Sequence, residues 1–154
     1  MHTGFALVLA FAGGLAVAPG PAAAVESDFA TTTDPGYTAG RSAIDAKDWN
    51  AAITALASAE QREPRTADIQ NLLGYAYRNA GNLELAFRHY ERALRLDPRH
   101  LGAHEYIGEA YLLAKNLAKA EEHLAALRRL CPAKCEERDD LSRKIGEYRR
   151  TASR

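Results

Sequence analysis

The chain has no net charge: its 154 residues carry 20 Lys and Arg against 20 Asp and Glu. That absence argues against a general binder of nucleic acid or of an anionic membrane surface, either of which needs an excess of basic residues. Cysteine is scarce, with Cys131 and Cys135 alone, so at most one internal disulfide can form. β-Branched residues are few while Ala and Leu recur, which favours helix over strand. No Gly-rich phosphate loop, no nucleophile elbow and no Ser, His and Asp in a recognisable catalytic context occur. Nothing in the sequence therefore points to a catalytic residue, a cofactor or an enzyme. At 47% hydrophobic and 26% charged residues, the composition suits one globular domain with its own core.

Long apolar runs are also missing. The one extended run, Phe5 to Ala18, is interrupted by glycine and ends before Pro19, Gly20 and Pro21. It is short of the roughly 20 apolar residues that span a bilayer. An apolar run of this kind followed by Ala22, Ala23 and Ala24 reads as a secretory signal peptide over residues 1–24, with cleavage after Ala24. No Lys or Arg precedes the run, no Cys offers a lipoprotein anchor, and no Arg pair marks a twin-arginine route. The expected mature protein is periplasmic or secreted and is not inserted in a membrane. Residues 25–32 have no helical period and read as a flexible tail.

Three residue types then recur with one period. Pro64, Pro98 and Pro132 are each 34 residues apart, as are Gly40, Gly74 and Gly108, and Ala52, Ala86 and Ala120. Turn signals at Lys47-Asp48, Gly81-Asn82 and Lys115-Asn116 fall between the glycine and alanine of each unit. Asp34-Pro35 reads as a helix cap followed by Pro at the first helical position. The prolines close the second helix of each unit, because Pro disfavours helix in the residue before it. The expected helices are 35–46, 49–62, 67–80, 83–96, 101–114, 117–130 and 136–150. In the last, Leu141, Ile145 and Tyr148 form one apolar stripe, with acids at its start and Arg149 and Arg150 at its end.

A 34-residue helix-turn-helix period resembles the tetratricopeptide repeat family. In the second unit, Leu73-Gly74, Tyr77, Ala86, Tyr90, Ala93 and Pro98 fall where the family places its large, Gly, aromatic, small and Pro residues. The third unit has Ile107-Gly108, Tyr111, Ala120, Leu124 and Pro132; the first has Gly40, Ala52, Leu56, Ala59 and Pro64. The early Trp of the family is replaced by Gly36, Gln70 and His104, and Leu127 stands where the other units have Ala59 and Ala93. The resemblance covers residues 33 to 134. It implies an all-α fold, a right-handed superhelical stack of repeats 33–66, 67–100 and 101–134, closed by a capping helix within 135–154.

The resemblance also implies a function: a non-catalytic scaffold that binds a protein or peptide segment along the concave face. The groove positions carried over are Tyr37, Arg41 and Ile44; Asn71, Tyr75, Arg78 and Asn79; and Glu105, Glu109 and Leu112. Arg41 and Arg78 at one side and Glu105 and Glu109 at the other suggest a charge gradient that orients the ligand. The family's Lys, Asn and Arg clamp for a terminal carboxylate is not matched, since its slots hold Tyr37, Arg41, Asn71, Gly102 and Tyr106. A finite monomer is expected, and a subunit of a cell-envelope assembly is a second reading.

The run Cys131-Pro-Ala-Lys-Cys135 has two readings. In an exported chain two cysteines most often form a disulfide, here fixing the turn before the capping helix. The alternative is a redox or metal-handling role, since Cys-Pro-x-x-Cys is similar to the copper site of thioredoxin-fold copper chaperones, although nothing else resembles that fold. His100 and His104 are spaced to grip a metal, with no third ligand evident beyond nearby Glu105. His89 and His123 share one repeat position and read as surface or seam residues rather than ligands.

Overall fold

The computed structural model describes residues 33–152; the expected leader and tail, residues 1–32, lie outside the described residues. The described residues form seven helices and no strand. They are α1 (Pro35–Asp45), α2 (Trp49–Arg62), α3 (Ala67–Asn79), α4 (Leu83–Leu96), α5 (Leu101–Leu113), α6 (Leu117–Leu130) and α7 (Glu136–Ala152). No helix among them is long and apolar enough to cross a membrane.

The helix ends are set by short, local chemistry. The Asp34 carboxylate accepts the backbone N–H of Gly36 at 2.7 Å and of Tyr37 at 3.2 Å, and Pro35 opens α1 where its missing N–H costs nothing. Within each unit one turn is used three times. Lys47, Gly81 and Lys115 have φ of 58°, 85° and 57°, reversing the chain. The next residue then caps the second helix: Asp48 accepts from Ala51 N–H at 3.0 Å, Asn82 from Leu85 at 3.0 Å and Asn116 from Lys119 at 3.1 Å.

Helices pair within units, α1 with α2, α3 with α4 and α5 with α6, and each unit stacks on the next. The core lies in the seams. Leu56 and Ala59 of α2 pack on Ile69 and Leu73 of α3. Ala86 and Tyr90 of α4 pack on Ile107 and Ala110 of α5. Leu124 and Leu127 of α6 pack on Leu141 and Ile145 of α7. Stability in such an array is carried between neighbours.

The recurring glycines make room for large side chains. A Cβ on Gly40 would lie 2.5 Å from Leu56 Cγ, and one on Gly74 would lie 2.6 Å from the Tyr90 ring. The third differs: a Cβ on Gly108 would lie 2.6 Å from a methyl of Leu141, a residue of α7. Leu141 and Ile145 follow Ile107 and Tyr111 by the same 34 residues. The capping helix therefore occupies the place of the first helix of a further unit. The concave face is built from α1, α3, α5 and α7, each packed beside the next.

Candidate functional site

The ten residues carried onto the groove differ in how available they are. Arg41 and Asn79 are exposed; Tyr75 and Leu112 are half-buried. Tyr37 and Ile44 pack against the core between the first two units. Asn71, Glu105 and Glu109 are buried, with 6%, 8% and 7% of their surface exposed.

Glu109 is the centre of an ion-pair relay across three helices. One of its oxygens meets Arg78 of α3, and the other meets Lys144 of α7. Arg78 also donates to the backbone carbonyl of Tyr106 at 3.3 Å. Its guanidinium lies over the rings of Tyr75 and Tyr106, at 5.1 and 5.5 Å from their centroids. The expected gradient from Arg41 and Arg78 toward Glu105 and Glu109 therefore loses its inner pair and is left to Arg41 and Glu105. Arg78 and Glu109 neutralise each other, because their helices stand side by side and burial of either charge alone would be costly.

An aromatic line runs from Trp49 at the start of α2, through Tyr75 and Tyr106 on the same face, to Tyr90 of α4, which is fully buried behind it. Trp49 meets Tyr75 edge-on at 6.1 Å, Tyr75 meets Tyr106 at 4.9 Å, and Tyr106 meets Tyr90 at 6.5 Å. The residue pattern placed Tyr106 in a clamp slot but did not single out Trp49, which sits at no carried-over groove position. Burial, with Glu105 next in effect, pushes the Tyr106 phenol up to about 12.

Among the described residues, two polar atoms along this line lack partners. The Asn71 Oδ1 and Tyr90 hydroxyl are buried and without a hydrogen bond. The Tyr90 phenol is pushed well above its ordinary range, by burial first. Glu105 is pushed up to about 7 by burial, and further by Glu109, Asp140 and Glu137, with Lys144 opposing. Gly102 leaves the Asn71 amide uncovered; a Cβ there would lie 3.2 Å from Asn71 Nδ2.

Where α5 meets α7 the groove opens into a cavity of about 420 Å³ between Leu112, Leu113, Lys144, Tyr148 and Thr151. Leu113 is 61% exposed, the one large apolar side chain so exposed among the described residues.

His100 and His104 turn to separate partners. His100 Nε2 bonds to Asp68 Oδ1 at 2.9 Å, tying α5 to α3, and this bond holds the Asp68 carboxyl low. His104 Nδ1 meets His123 Nδ1 at 3.0 Å, and His104 Nε2 donates to the Pro98 carbonyl at 3.1 Å. That leaves His104 Nδ1 as the acceptor and His123 Nδ1 as the donor. Burial, followed by the His104 ring, pushes His123 down to about 4. In the second unit the same two positions hold Gln70 and His89, bonded at 2.9 Å. His89 and His123 stack on Tyr77 and Tyr111, as seam residues would.

Cys131 and Cys135 are joined, with Cα atoms 5.9 Å apart, inside the range a disulfide requires. The guanidinium of Arg138 braces the same turn. Its Nη1 donates to the carbonyls of Cys131, Pro132 and Ala133, at 3.1, 3.1 and 2.7 Å.

Tetratricopeptide-repeat models match residues 37–98 and 80–132. The chain belongs to the tetratricopeptide repeat family. A comparison with curated proteins finds no match. Solved structures with the same architecture include the TPR domain of Arabidopsis OM64, 16% identical, with 73% of this chain and 93% of that one covered and a TM-score of 0.67. The first TPR of Spaghetti (RPAP3), bound to the HSP90 peptide SRMEEVD, is 19% identical over 73% and 88% of the two chains, at 0.65. The TPR2B domain of yeast Sti1, in a complex with pHsp70, is 22% identical over 77% and 93%, at 0.65. These likenesses establish the fold.

Proposed function

We propose that the protein is a non-catalytic adaptor that holds an extended peptide or protein segment along the concave face of α1, α3, α5 and α7. The observation that carries this reading is the half-buried rings of Trp49, Tyr75 and Tyr106, which stand together beside the buried Glu105 carboxyl. Aromatic rings offer contact area at small entropic cost, and an exposed amide such as that of Asn79 can accept from a peptide backbone. Two structural relatives hold chaperone partners in the same fold, one of them a peptide ending in Glu-Glu-Val-Asp. That particular ligand does not transfer, because the clamp slots here hold Tyr37, Arg41, Asn71, Gly102 and Tyr106.

The leader over residues 1–24 and the Cys131–Cys135 pair support an exported protein, since disulfides persist in oxidising compartments. A capping helix that fills the last seam supports a finite monomer. The test is a photo-crosslinking amino acid placed at Tyr75 in the groove or at Arg95 on the outer helix α4, in cells that export the protein. A partner captured from Tyr75 and not from Arg95 is the expected result. Capture from Arg95 alone would instead favour a subunit docked by its convex face into an envelope assembly.

A further inference from the structure

One acidic acceptor in the groove is left without a partner. Glu105 has no hydrogen-bond partner among the described residues and is 92% buried, the complement of its 8% exposure. Asn71, at the same repeat position one unit earlier, buries an amide oxygen that no donor reaches. The charges that act on Glu105 are Glu109 from its own helix and Glu137, Asp140 and Lys144 from α7. Lys144, the one cation among them, is already paired with Glu109. On the α3 side, Arg78 is committed to that same carboxylate. Glu105 is thus an acceptor facing an excess of acid. No three acids, histidines or cysteines among the described residues are placed to hold a metal ion. A longer cationic group, carrying its own N–H donors, fits this arrangement.

We infer, resting on the groove reading above, that a lysine or arginine side chain of the bound peptide seats its charge on Glu105, with an apolar residue of the same peptide in the Leu112, Leu113 and Tyr148 cavity. The spacing follows from helix geometry. Glu105 and Leu112 are separated along α5 by seven residues, roughly 10 Å at 1.5 Å per residue. A polyproline-II chain rises about 3.1 Å per residue with three residues per turn, so the basic and apolar residues stand about three apart on one side of the peptide. Ionised Glu105 binds the cation, and protonated Glu105 does not, so the ligand competes with a proton at this carboxyl.

The probe is the acetylated, amidated peptide Gly-Ser-Lys-Ser-Ser-Leu-Gly, compared with the same peptide carrying Glu in place of Lys. Binding to the full chain is followed by amide chemical shifts. The Lys peptide is expected to bind roughly tenfold more tightly than the Glu peptide, as for a charged hydrogen bond in a buried setting. Its affinity rises from about pH 6 to about pH 8 as Glu105 ionises. Glu105→Gln abolishes both the preference and the pH dependence while its melting temperature stays level or rises, which separates lost binding from lost folding. Leu113→Ser weakens the Lys peptide and leaves a Ser-for-Leu version unaffected. Equal or tighter binding of the Glu peptide in the groove overturns this inference and leaves the groove reading standing. Shifts from neither peptide, or confined to the outer helices, overturn both.

Discussion

The two ends of the array are closed by different physics. At the first end, α1 is pinned by Asp34, which caps its own helix and forms a two-pronged pair with Arg62 of α2, at 2.6 and 2.7 Å. The bond from Arg62 holds the Asp34 carboxyl down at about 2. At the other end, α7 buries Leu141 and Ile145, at 0% and 2% exposure, and is tied by the Cys131–Cys135 bond and the Arg138 brace. Beneath it lies Glu105, whose carboxyl is displaced the opposite way, to about 7. One end is a charge clamp that needs an ionised acid. The other is an apolar lid that is strained by one. Acid should therefore loosen the first end and relieve the second.

The largest test is to hollow the lid. Leu141→Ala removes the side chain that fills the space over Gly108, and should cost about 3 kcal/mol in urea unfolding. A cost well under 1 kcal/mol would mean that α7 is not part of the packed array.

A comparable effect is reached through pH. Glu105 has a folded value of about 7 against an ordinary 4.5, so its penalty is absent at low pH and complete above about 7. At alkaline pH Glu105→Gln should gain stability on the order of 3 kcal/mol at most. His123 works against this. Its folded value of about 4, against 6.5, means stability is lost as pH falls from 6.5 toward 4. The two slopes oppose each other in the wild type. In Glu105→Gln the unfolding free energy should rise between about pH 4 and 6.5, and in His123→Gln it should fall between about pH 4.5 and 7. Parallel profiles in the two variants would break the contrast.

Smaller still is the disulfide. Cys131→Ser with Cys135→Ser opens a short loop and should cost about 2 kcal/mol in the chain-entropy account. Calorimetry of the oxidised protein with and without a dithiol reductant checks it. Smallest on the global scale is Asp34→Asn, which keeps the cap acceptor and discards the charge. Its effect should be local: the amides of α1 lose hydrogen-exchange protection while those of α5 and α7 do not. In the wild type the same loss should set in as pH falls from about 3.8 to about 2, the window set by the depressed carboxyl.

Most of the fold was legible in the sequence because its determinants are local. Asp34, Asp48, Asn82 and Asn116 each bond to backbone within three residues, so turns and helix starts could be read directly. The Gly, Ala and Pro period exposed the stacking, since those residues answer to close approach between neighbours. The site was less legible. The repeat positions picked out Asn71, Glu105 and Glu109 as facing the groove, but did not reveal that Glu109 is spent on Arg78 and Lys144. That pairing joins residues 31 apart on one side and 35 on the other, and no local rule reports it. The use of Gly108 was hidden in the same way. Its partner Leu141 lies beyond the last complete unit, and the 34-residue step linking Leu141 to Ile107 was the signal that could have found it.

Because α7 stands in the slot of a first helix, it also sets a length. Four helices side by side at about 9–10 Å give a trough of roughly 30 Å. A segment laid across all four would need some nine extended residues at about 3.3 Å each, about three times the span between Glu105 and Leu112, which lie along one helix. The lid is thus the end-stop of a ruler, and shortening the chain before α7 would shorten what the protein can read.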